Sequence, residues 1–308
     1  MCEKYFTLSI DIGAAGGINE KWYTLGKQLH VIGFEPNEDE CIKLGTSSLE
    51  LEIQIEYLNV ALDKIPGHIE LCILQESADT SKYIPNYVFL NRFPKAERFK
   101  LVSRKMVESD TLDSVVTTMS GGKADFLKID TQGSELDILI GADRTLSELV
   151  SGVEVEVCFS ELYKGAPLFA DIDHYLRERG FALYDLSRSY WKRIETTYRG
   201  AGQLIFGDAL YLKDYIALRS VPDNLGAPIV AAIINKKYDY ALEYAKYLVD
   251  IGRLDKSKGY LLLKAIKAYA TPFLRIPYFK GRGRLGKMFE KCSDYLKCTS
   301  GNRTDSWV

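Results

Sequence analysis

The chain has 308 residues, of which 46% are hydrophobic and 27% charged, and its formal net charge is −2. This composition is typical of globular proteins and excludes wholesale disorder, collagen-like repeats and low-complexity architecture. No apolar run reaches the roughly 20 residues of a membrane-spanning helix, and the first residues lack the apolar core of a signal peptide. Six cysteines without C-x-x-C spacing favour reduced thiols, so we expect a cytoplasmic protein.

Charge divides the chain into two regions. Residues 1–214 carry 23 basic and 34 acidic side chains, a net charge of −11, whereas residues 215–308 carry 17 and eight, a net charge of +9. A difference of this size suggests two units with different partners. The basic region either meets an anionic surface or docks on the acidic unit, and the sequence leaves both interpretations open.

Apolar segments alternate between strand and helix patterns through the first region. The predicted strands are 5–11, 31–35, 55–61, 68–74, 126–130, 153–158, 181–186 and 204–212. The predicted helices are 20–29, a helix opened by Pro36, 133–140 and 170–179, the last ended by Gly180. Residues 79–98 show few periodic signals and are predicted to form a long loop with short elements. Strands alternating with helices predict a doubly wound, mostly parallel α/β sheet.

The pattern changes to short helices after residue 215. Segments 227–234, 238–250 and 256–270 are rich in Ala, Leu, Lys and Tyr and are predicted helices, and segment 273–291 mixes basic with bulky apolar residues. We therefore predict one domain over residues 1–214 and a basic helical C-terminal extension over residues 215–308.

Three predicted strands end in an acidic residue: Asp11, Glu35 and Asp130. In an open α/β sheet, ligands bind outside the carboxyl ends of the strands, at the point where the strand order reverses. The turn after Asp11 has the sequence IGAAGG. It lets the backbone approach a ligand closely, because Gly13 and Gly17 carry no side chain.

This turn differs from the dinucleotide-binding fingerprint G-x-G-x-x-G, since Ala15 stands where the middle glycine would be. The preceding acid would repel a pyrophosphate but suits a cationic ligand. Glu35 follows Gly17 by 18 residues, the position of the acid that hydrogen-bonds a ribose diol. These features favour S-adenosylmethionine (SAM) over NAD, because the sulfonium and α-amino groups of SAM are both positive.

Several blocks resemble the FkbM-type SAM-dependent methyltransferase family. They are IDIGAAGG (10–17), GFEPN (33–37), TLD (111–113), FLKIDTQGSEL (126–136), VEVE (153–156), LYKG (162–165), LYDL (183–186) and GDAL (207–210). The resemblance runs from about residue 5 to residue 213. It implies a Rossmann-like methyltransferase sheet, SAM as the cofactor, and methyl transfer to a hydroxyl of a sugar, polyketide or similar natural product. The basic helical extension does not match the family core.

The resemblance also implies which residues bind the cofactor: Asp11, Gly13, Ala14, Gly17, Glu35, Pro36, Asn59, Val60, Ala61 and Asp130. In the family's arrangement, residues 11–14 would hold the methionine half of SAM, Glu35 the ribose and residues 59–61 the adenine. Asp130 would lie beside the sulfonium and the acceptor. The chain has Ala15 where the family commonly has Asn, and Gln132 where it often has Glu.

An alcohol acceptor must lose its proton, which predicts a carboxylate or imidazole base nearby. The candidate catalytic residues are Asp130, then Glu135 in the following helix, and Glu154. Glu154 and Glu156 should share one face of their strand, because alternate residues point the same way. Tyr163 either lines the acceptor pocket or packs as a core aromatic residue. None of the three histidines has metal-ligand spacing, so no metal site is predicted.

The leading functional prediction is therefore SAM-dependent O-methylation of a hydroxyl on a sugar, glycan or related natural product, as in polysaccharide biosynthesis. The alternative is a non-catalytic nucleotide-binding or scaffold module that its basic tail recruits to a membrane or an anionic polymer. An NAD-dependent enzyme is disfavoured by Asp11. No nucleic-acid substrate is expected, because DTQG (130–133) stands where a base-methylating N/D-P-P-Y motif would.

The mixture of basic and apolar residues in the tail predicts peripheral contact with anionic lipid or a lipid-linked glycan at the inner face of the membrane. The residues predicted to make this contact are Arg275, Lys280, Arg282, Arg284 and Lys287.

Overall fold

The computed structural model describes residues 7–13, 17–47, 53–119, 122–194 and 200–271, together with residues 284, 287 and 288. Its strands are β1 (Thr7–Ile12), β2 (Leu29–Phe34), β3 (Gln54–Leu58), β4 (Ala61–Leu62), β5 (Gly67–Leu74), β6 (Leu101–Asp110), β7 (Phe126–Ile129), β8 (Gly152–Cys158), β9 (Phe181–Leu186), β10 (Ser189–Trp191) and β11 (Gln203–Lys213). Its α-helices are α1 (Glu38–Ser47), α2 (Tyr87–Leu90), α3 (Leu112–Met119), α4 (Glu135–Ile140), α5 (Phe169–Glu178), α6 (Ala227–Ile234), α7 (Tyr238–Asp250) and α8 (Lys256–Ala270).

Within these residues, eight strands form one sheet in the order β10-β11-β8-β7-β1-β2-β3, and β9 also pairs with β11. Strands β3, β2, β1, β7 and β8 are parallel to their neighbours, whereas β11 runs antiparallel to β8. The chain order reverses between β1 and β7, so the switch point lies there. The predicted doubly wound, mostly parallel sheet is confirmed.

One face of this sheet is apolar along β1, β7 and β8. Alternate residues of each strand point to opposite faces, which places Ile10 and Ile12 of β1 beside Leu127 and Ile129 of β7. These side chains are at most 2% exposed and pack with helices α3, α4 and α5. Burial of each one contributes roughly 1.5–3 kcal/mol to folding. This first face forms the larger part of the core.

The second face is covered by the 3₁₀ helix Glu20–Gln28 and by α6, α7 and α8. Trp22 lies with its ring centroid 4.8 Å from that of Phe126 in β7. Tyr240 of α7 donates a hydrogen bond of 2.8 Å to the Lys213 carbonyl in β11. The three predicted helices of the extension are confirmed with their bounds, and they share a hydrophobic cluster with the sheet. The predicted domain boundary at residue 214 stays a prediction.

A second sheet has the order β4-β6-β5. The predicted strand over 55–61 is wrong at its end, because the main-sheet strand stops at Leu58 and Ala61 pairs with β6 instead. The sequence did not predict β6, in which Val107 and Ser109 alone are buried, so no apolar alternation marks it. The predicted helical stretch over 20–29 is a 3₁₀ helix over Glu20–Gln28, interrupted where Gly26 adopts φ +49°.

In the portion of the chain that the structure describes, no helix has the length and apolar character to cross a membrane. Of the predicted lipid contacts, Arg284 and Lys287 are described and exposed. Arg275, Lys280 and Arg282 lie outside the described residues, as does the predicted cofactor contact Ala14.

Candidate active site

The ends of β1 and β7 meet at the switch point, where the Asp130 N–H donates to the Ile12 carbonyl at 2.9 Å. Gly13 has φ +78°, and a Cβ at this position would lie 1.8 Å from the Asp130 carbonyl oxygen. Gly13 is therefore required by the neighbouring backbone as well as by its own left-handed conformation. Gly17 has φ +83° and open space around it, so its backbone conformation alone favours glycine there.

Asp11 is 2% exposed, and neither of its carboxylate oxygens accepts a hydrogen bond. The Lys128 Nζ lies 3.4 Å from Asp11 Oδ1 and 3.7 Å from Asp130 Oδ2. Burial raises the pKa of Asp11, and Lys128 opposes that shift. Burial acts to lower the pKa of Lys128, but the two carboxylates outweigh it and hold that pKa above its ordinary value. Lys128 is thus a charged partner of two acids.

Glu154 lies next to Lys128 in the strand register and is paired with Lys21. The Lys21 Nζ also donates to Asn235 Oδ1, at the end of α6, at 3.0 Å. The charge of Glu154 is therefore balanced by a lysine that connects the sheet to the C-terminal helices. Its predicted catalytic role stays a prediction, and the geometry favours Asp130 over it.

Glu156 is 8% exposed and shares the second face with Glu154, as predicted. The Gln132 Nε2 donates to Glu156 Oε1 and to Asp130 Oδ1, both at 3.2 Å. Burial raises the pKa of Glu156 well above its ordinary value, and repulsion from Asp130 adds to the shift. Burial also raises the pKa of Asp130, with Lys128 opposing the shift and Asp208 adding to it. The two carboxylates and the amide form one hydrogen-bonded group.

The loop after β7 is held by Glu135, which is 4% exposed. Glu135 Oε1 accepts from the Thr131 N–H at 2.9 Å, and Oε2 accepts from the Gly133 N–H at 2.9 Å. Both oxygens are occupied by donors of the loop that carries Asp130. Glu135 therefore positions this loop, and its predicted role as a base stays a prediction.

Gln132 itself has a left-handed backbone, φ +57°, and is fixed from two sides. Ser81 Oγ donates to the Gln132 carbonyl at 2.6 Å, and the Tyr163 hydroxyl lies 3.0 Å from Gln132 Oε1. The two carboxylates determine the orientation of the amide, because its NH₂ group must point toward them. Tyr163 is 1% exposed, so it is a buried residue that orients Gln132 and not an open wall of a pocket.

The residues predicted to bind ribose and adenine come together at the ends of β2 and β3. Glu35 is 7% exposed, and its Oε1 accepts from the Asn37 N–H at 2.8 Å. The Asn59 side chain donates to the Glu35 carbonyl at 2.9 Å. Pro36 and Val60 are half-buried beside them, whereas Ala61 is buried in β4. Whether these residues bind SAM stays a prediction.

Three residues near the site were missed by the sequence analysis. Asp208 of β11 lies opposite Glu156 in the register, and a single acid in an otherwise apolar strand could have revealed it. Tyr57 stands in the same row as Gly33 and Asp11, and burial raises its pKa to about 12. Ser81 gives no sequence signal, because it lies in a loop without periodicity. Among the described residues, no cluster of three or more His, Cys, Asp or Glu side chains could hold a metal ion.

The FkbM methyltransferase domain model matches residues 11–183, which is more than half of the chain. The chain belongs to the FkbM methyltransferase family. It is therefore a SAM-dependent methyltransferase with SAM as its cofactor. The matched segment of this FkbM methyltransferase contains Asp11, Glu35 and Asp130 and ends before α6. No curated protein matches the sequence.

Two solved structures are similar to this FkbM methyltransferase. One is magnesium protoporphyrin IX methyltransferase from Synechocystis PCC 6803, with 11% identity, a TM-score of 0.37, and coverage of 69% of this chain and 72% of that one. The other is precorrin-6y C5,15-methyltransferase from Geobacter metallireducens GS-15, with 11% identity, a TM-score of 0.35, and coverage of 69% and 84%.

The described residues at the switch point fit SAM. A buried carboxylate without hydrogen-bond donors is costly. The Lys128 Nζ lies 3.4 Å from Asp11 Oδ1, but neither oxygen of Asp11 accepts a hydrogen bond. A ligand that brings positive, hydrogen-bonding groups to Asp11 would remove this cost. Asp11 would hold the positively charged methionine half, and the strand ends at Glu35 and Asn59 would take the nucleoside.

Proposed function

We propose that this FkbM methyltransferase transfers the methyl group of SAM to a hydroxyl of a sugar, a glycan or a related natural product. The observation that carries the proposal is the group formed by Asp130, Gln132 and Glu156 beside Asp11. Asp130 is one-third exposed, so it can be reached from solvent while Lys128 and Gln132 hold its carboxylate in place. A positioned carboxylate that can accept a proton is what an alcohol acceptor needs.

SAM supplies an activated methyl group when it is bound. The chain aligns the acceptor hydroxyl and takes its proton, and we assign the proton to the carboxylate of Asp130. Burial raises the pKa of Asp130, with Lys128 opposing the shift, so this carboxylate is a stronger base than an exposed aspartate. A positioned base contributes typically 10²- to 10⁴-fold to the rate.

The charge of the site supports a neutral acceptor. The polar side chains beside Asp130 are the ammonium of Lys128, which is shared with Asp11, the amide of Gln132 and the carboxylates of Glu156 and Asp208. Three further carboxylates therefore outnumber the one cation. Carboxylates and amides hydrogen-bond the hydroxyls of a polyol, whereas a phosphate at this rim would be repelled. This favours a sugar over a nucleic acid as the acceptor.

The test is transfer of a labelled methyl group from SAM to a panel of neutral glycans and lipid-linked glycans. We expect label on at least one hydroxyl-bearing acceptor. Asp130→Asn should lower kcat by roughly 10²- to 10⁴-fold while SAM still binds, because Asp11 is unchanged. Asp223→Asn, which alters an exposed carboxylate, is the matched control and should keep full activity.

Two outcomes would contradict the proposal. Full turnover by Asp130→Asn would remove Asp130 as the base. Tight SAM binding without transfer to any hydroxyl acceptor would favour the non-catalytic alternative.

A further inference from the structure

Helix α8 begins the most basic part of the chain. Residues 256–291 contain ten basic residues and one acid, Glu290, although the whole chain has a net charge of −2. All four charged residues of α8 itself are lysines. The Asp255 side chain caps the helix by accepting from the Ser257 and Lys258 N–H groups at 2.9 and 3.2 Å, so the helix starts at a defined residue and its faces are fixed.

One side of α8 packs on the fold, and its partly buried residues are Leu262 and Leu263. Gly259 and Ile266 are its fully buried residues, and they lie on the side that faces α7. On the outer side, Tyr260 and Leu261 are 67% and 64% exposed, and all four lysines are exposed as well. Tyr269 is also exposed, but its ring centroid lies 6.0 Å from that of Tyr238 in α7. The outer face therefore combines positive charge with bulky apolar and aromatic groups. We call it the basic face of α8: Lys256, Lys258, Tyr260, Leu261, Lys264 and Lys267.

We propose that the basic face of α8 docks on the surface of an anionic lipid bilayer. Lysines attract the negative headgroups, and tyrosine and leucine enter the boundary between headgroups and acyl chains. The chain continues in the same character: segment 273–289 interleaves Arg and Lys with Phe, Leu, Ile, Tyr and Met. Arg284, Lys287 and Met288 are helical and exposed.

The apolar component decides between a bilayer and an anionic polymer. The phosphates or sulfates of a nucleic acid or polyanion would pair with the lysines. They would make no favourable contact with Leu261 or with the Phe, Ile and Met residues that follow. A bilayer uses both groups. The inference concerns where the enzyme lies and does not depend on which acceptor is methylated.

The first experiment is co-sedimentation of the full chain with phosphatidylcholine vesicles and with vesicles that also contain phosphatidylserine. We expect binding to the phosphatidylserine vesicles that weakens at high salt, since the attraction is screened. Each lysine near an anionic surface raises the affinity for the vesicle about fivefold. The variant K256Q/K258Q/K264Q/K267Q should therefore bind at least roughly tenfold more weakly, even if only some lysines reach the surface.

The matched control removes four exposed lysines elsewhere, in K27Q/K43Q/K100Q/K105Q. It has the same net charge as the α8 variant and should keep vesicle binding. Circular dichroism melting checks that both variants fold, which we expect because all eight side chains are exposed. Equal loss in both variants would overturn the proposal, because binding would then follow net charge and not the face of α8.

The second variant, Y260S/L261S, keeps every charge. We expect it to weaken vesicle binding at high salt, where the apolar contact dominates, and to leave binding to heparin unchanged. If Y260S/L261S bound vesicles like the wild type while heparin or random-sequence DNA bound at least as tightly as the vesicles, the surface would be a polyanion site and the bilayer proposal would be wrong.

Discussion

The two faces of the central sheet are made by the same strands but carry different side chains at the carboxyl ends of those strands: apolar on one face and charged on the other. At the carboxyl end of the sheet, the first face presents Ile12 and Ile129, which are buried among aliphatic side chains. One residue away on the same strands, the second face presents Asp11, Lys128 and Asp130. The first face contributes stability. The second face contributes less to folding stability at this end, because buried carboxylates are costly. The same carboxylates form a site for a positively charged ligand.

The largest effect is expected from Lys128→Met, which leaves Asp11 and Asp130 without their common cation. Breaking a buried ion pair costs about 3–5 kcal/mol. Without Lys128, the pKa values of both acids rise further, so the folded protein keeps protons that the unfolded chain releases. Stability of the variant should therefore fall as pH rises above about 4. Urea unfolding at pH 5 and pH 8 measures this effect.

Lys43→Met, at an exposed lysine, is the control for Lys128→Met and should show little change at either pH. A stability deficit of Lys128→Met that is equal at pH 5 and pH 8 would show that Lys128 acts by packing alone.

On the first face, Ile129→Ala should cost about 2–5 kcal/mol, because it opens a cavity in a fully buried cluster. The corresponding fall in Tm is roughly 5–15 °C. SAM affinity, measured by calorimetry well below the new Tm, should stay unchanged, since Ile129 points away from the site. A large loss of SAM affinity in the folded variant would contradict the claim that the first face stabilises the fold while the second face binds SAM.

A smaller effect of opposite sign is expected from Glu156→Gln. The raised pKa of Glu156 means that the folded protein holds this proton to higher pH than the unfolded chain. The wild type therefore loses stability as pH rises through that interval, and the variant does not. Glu156→Gln should raise Tm by roughly 2–5 °C at pH 8 and by less at pH 5. Glu243→Gln, at an exposed acid of α7, should leave Tm unchanged at both pH values.

The sequence predicted the parts of the fold that carry strong periodicity or a terminal signal. Strands β1, β2, β7 and β8 are buried apolar runs, and the acids at the ends of three of them are visible without a structure. Helices α6 to α8 were predicted with their bounds, since their segments are rich in Ala, Leu, Lys and Tyr and follow the last predicted strand. Strand β6 was missed because most of its side chains are exposed. A strand with both faces exposed lacks the alternation of apolar and polar residues that identifies a strand in a sequence.

The candidate site was predicted only in its local elements. Asp11 and Asp130 follow from strand ends, but their common partner Lys128 depends on the order β7-β1, which the sequence does not state. The contacts of Gln132 with Ser81 and Tyr163 join residues 51 and 31 positions apart. No spacing rule predicts such contacts, so the orientation of the Gln132 amide required the structure.

The central claim is that the buried, unsatisfied carboxylate of Asp11 binds the positive part of SAM. Calorimetric titration of SAM into Asp11→Asn tests it directly, because the substitution keeps the shape and removes the charge. We expect affinity to fall roughly 10- to 100-fold relative to the wild type, the value of a charge-assisted contact. Asp113→Asn in α3, which can keep only one of the two hydrogen bonds that Asp113 accepts from the Arg144 and Thr145 N–H groups, should lower stability but not affinity. Unchanged SAM affinity in Asp11→Asn would contradict the account.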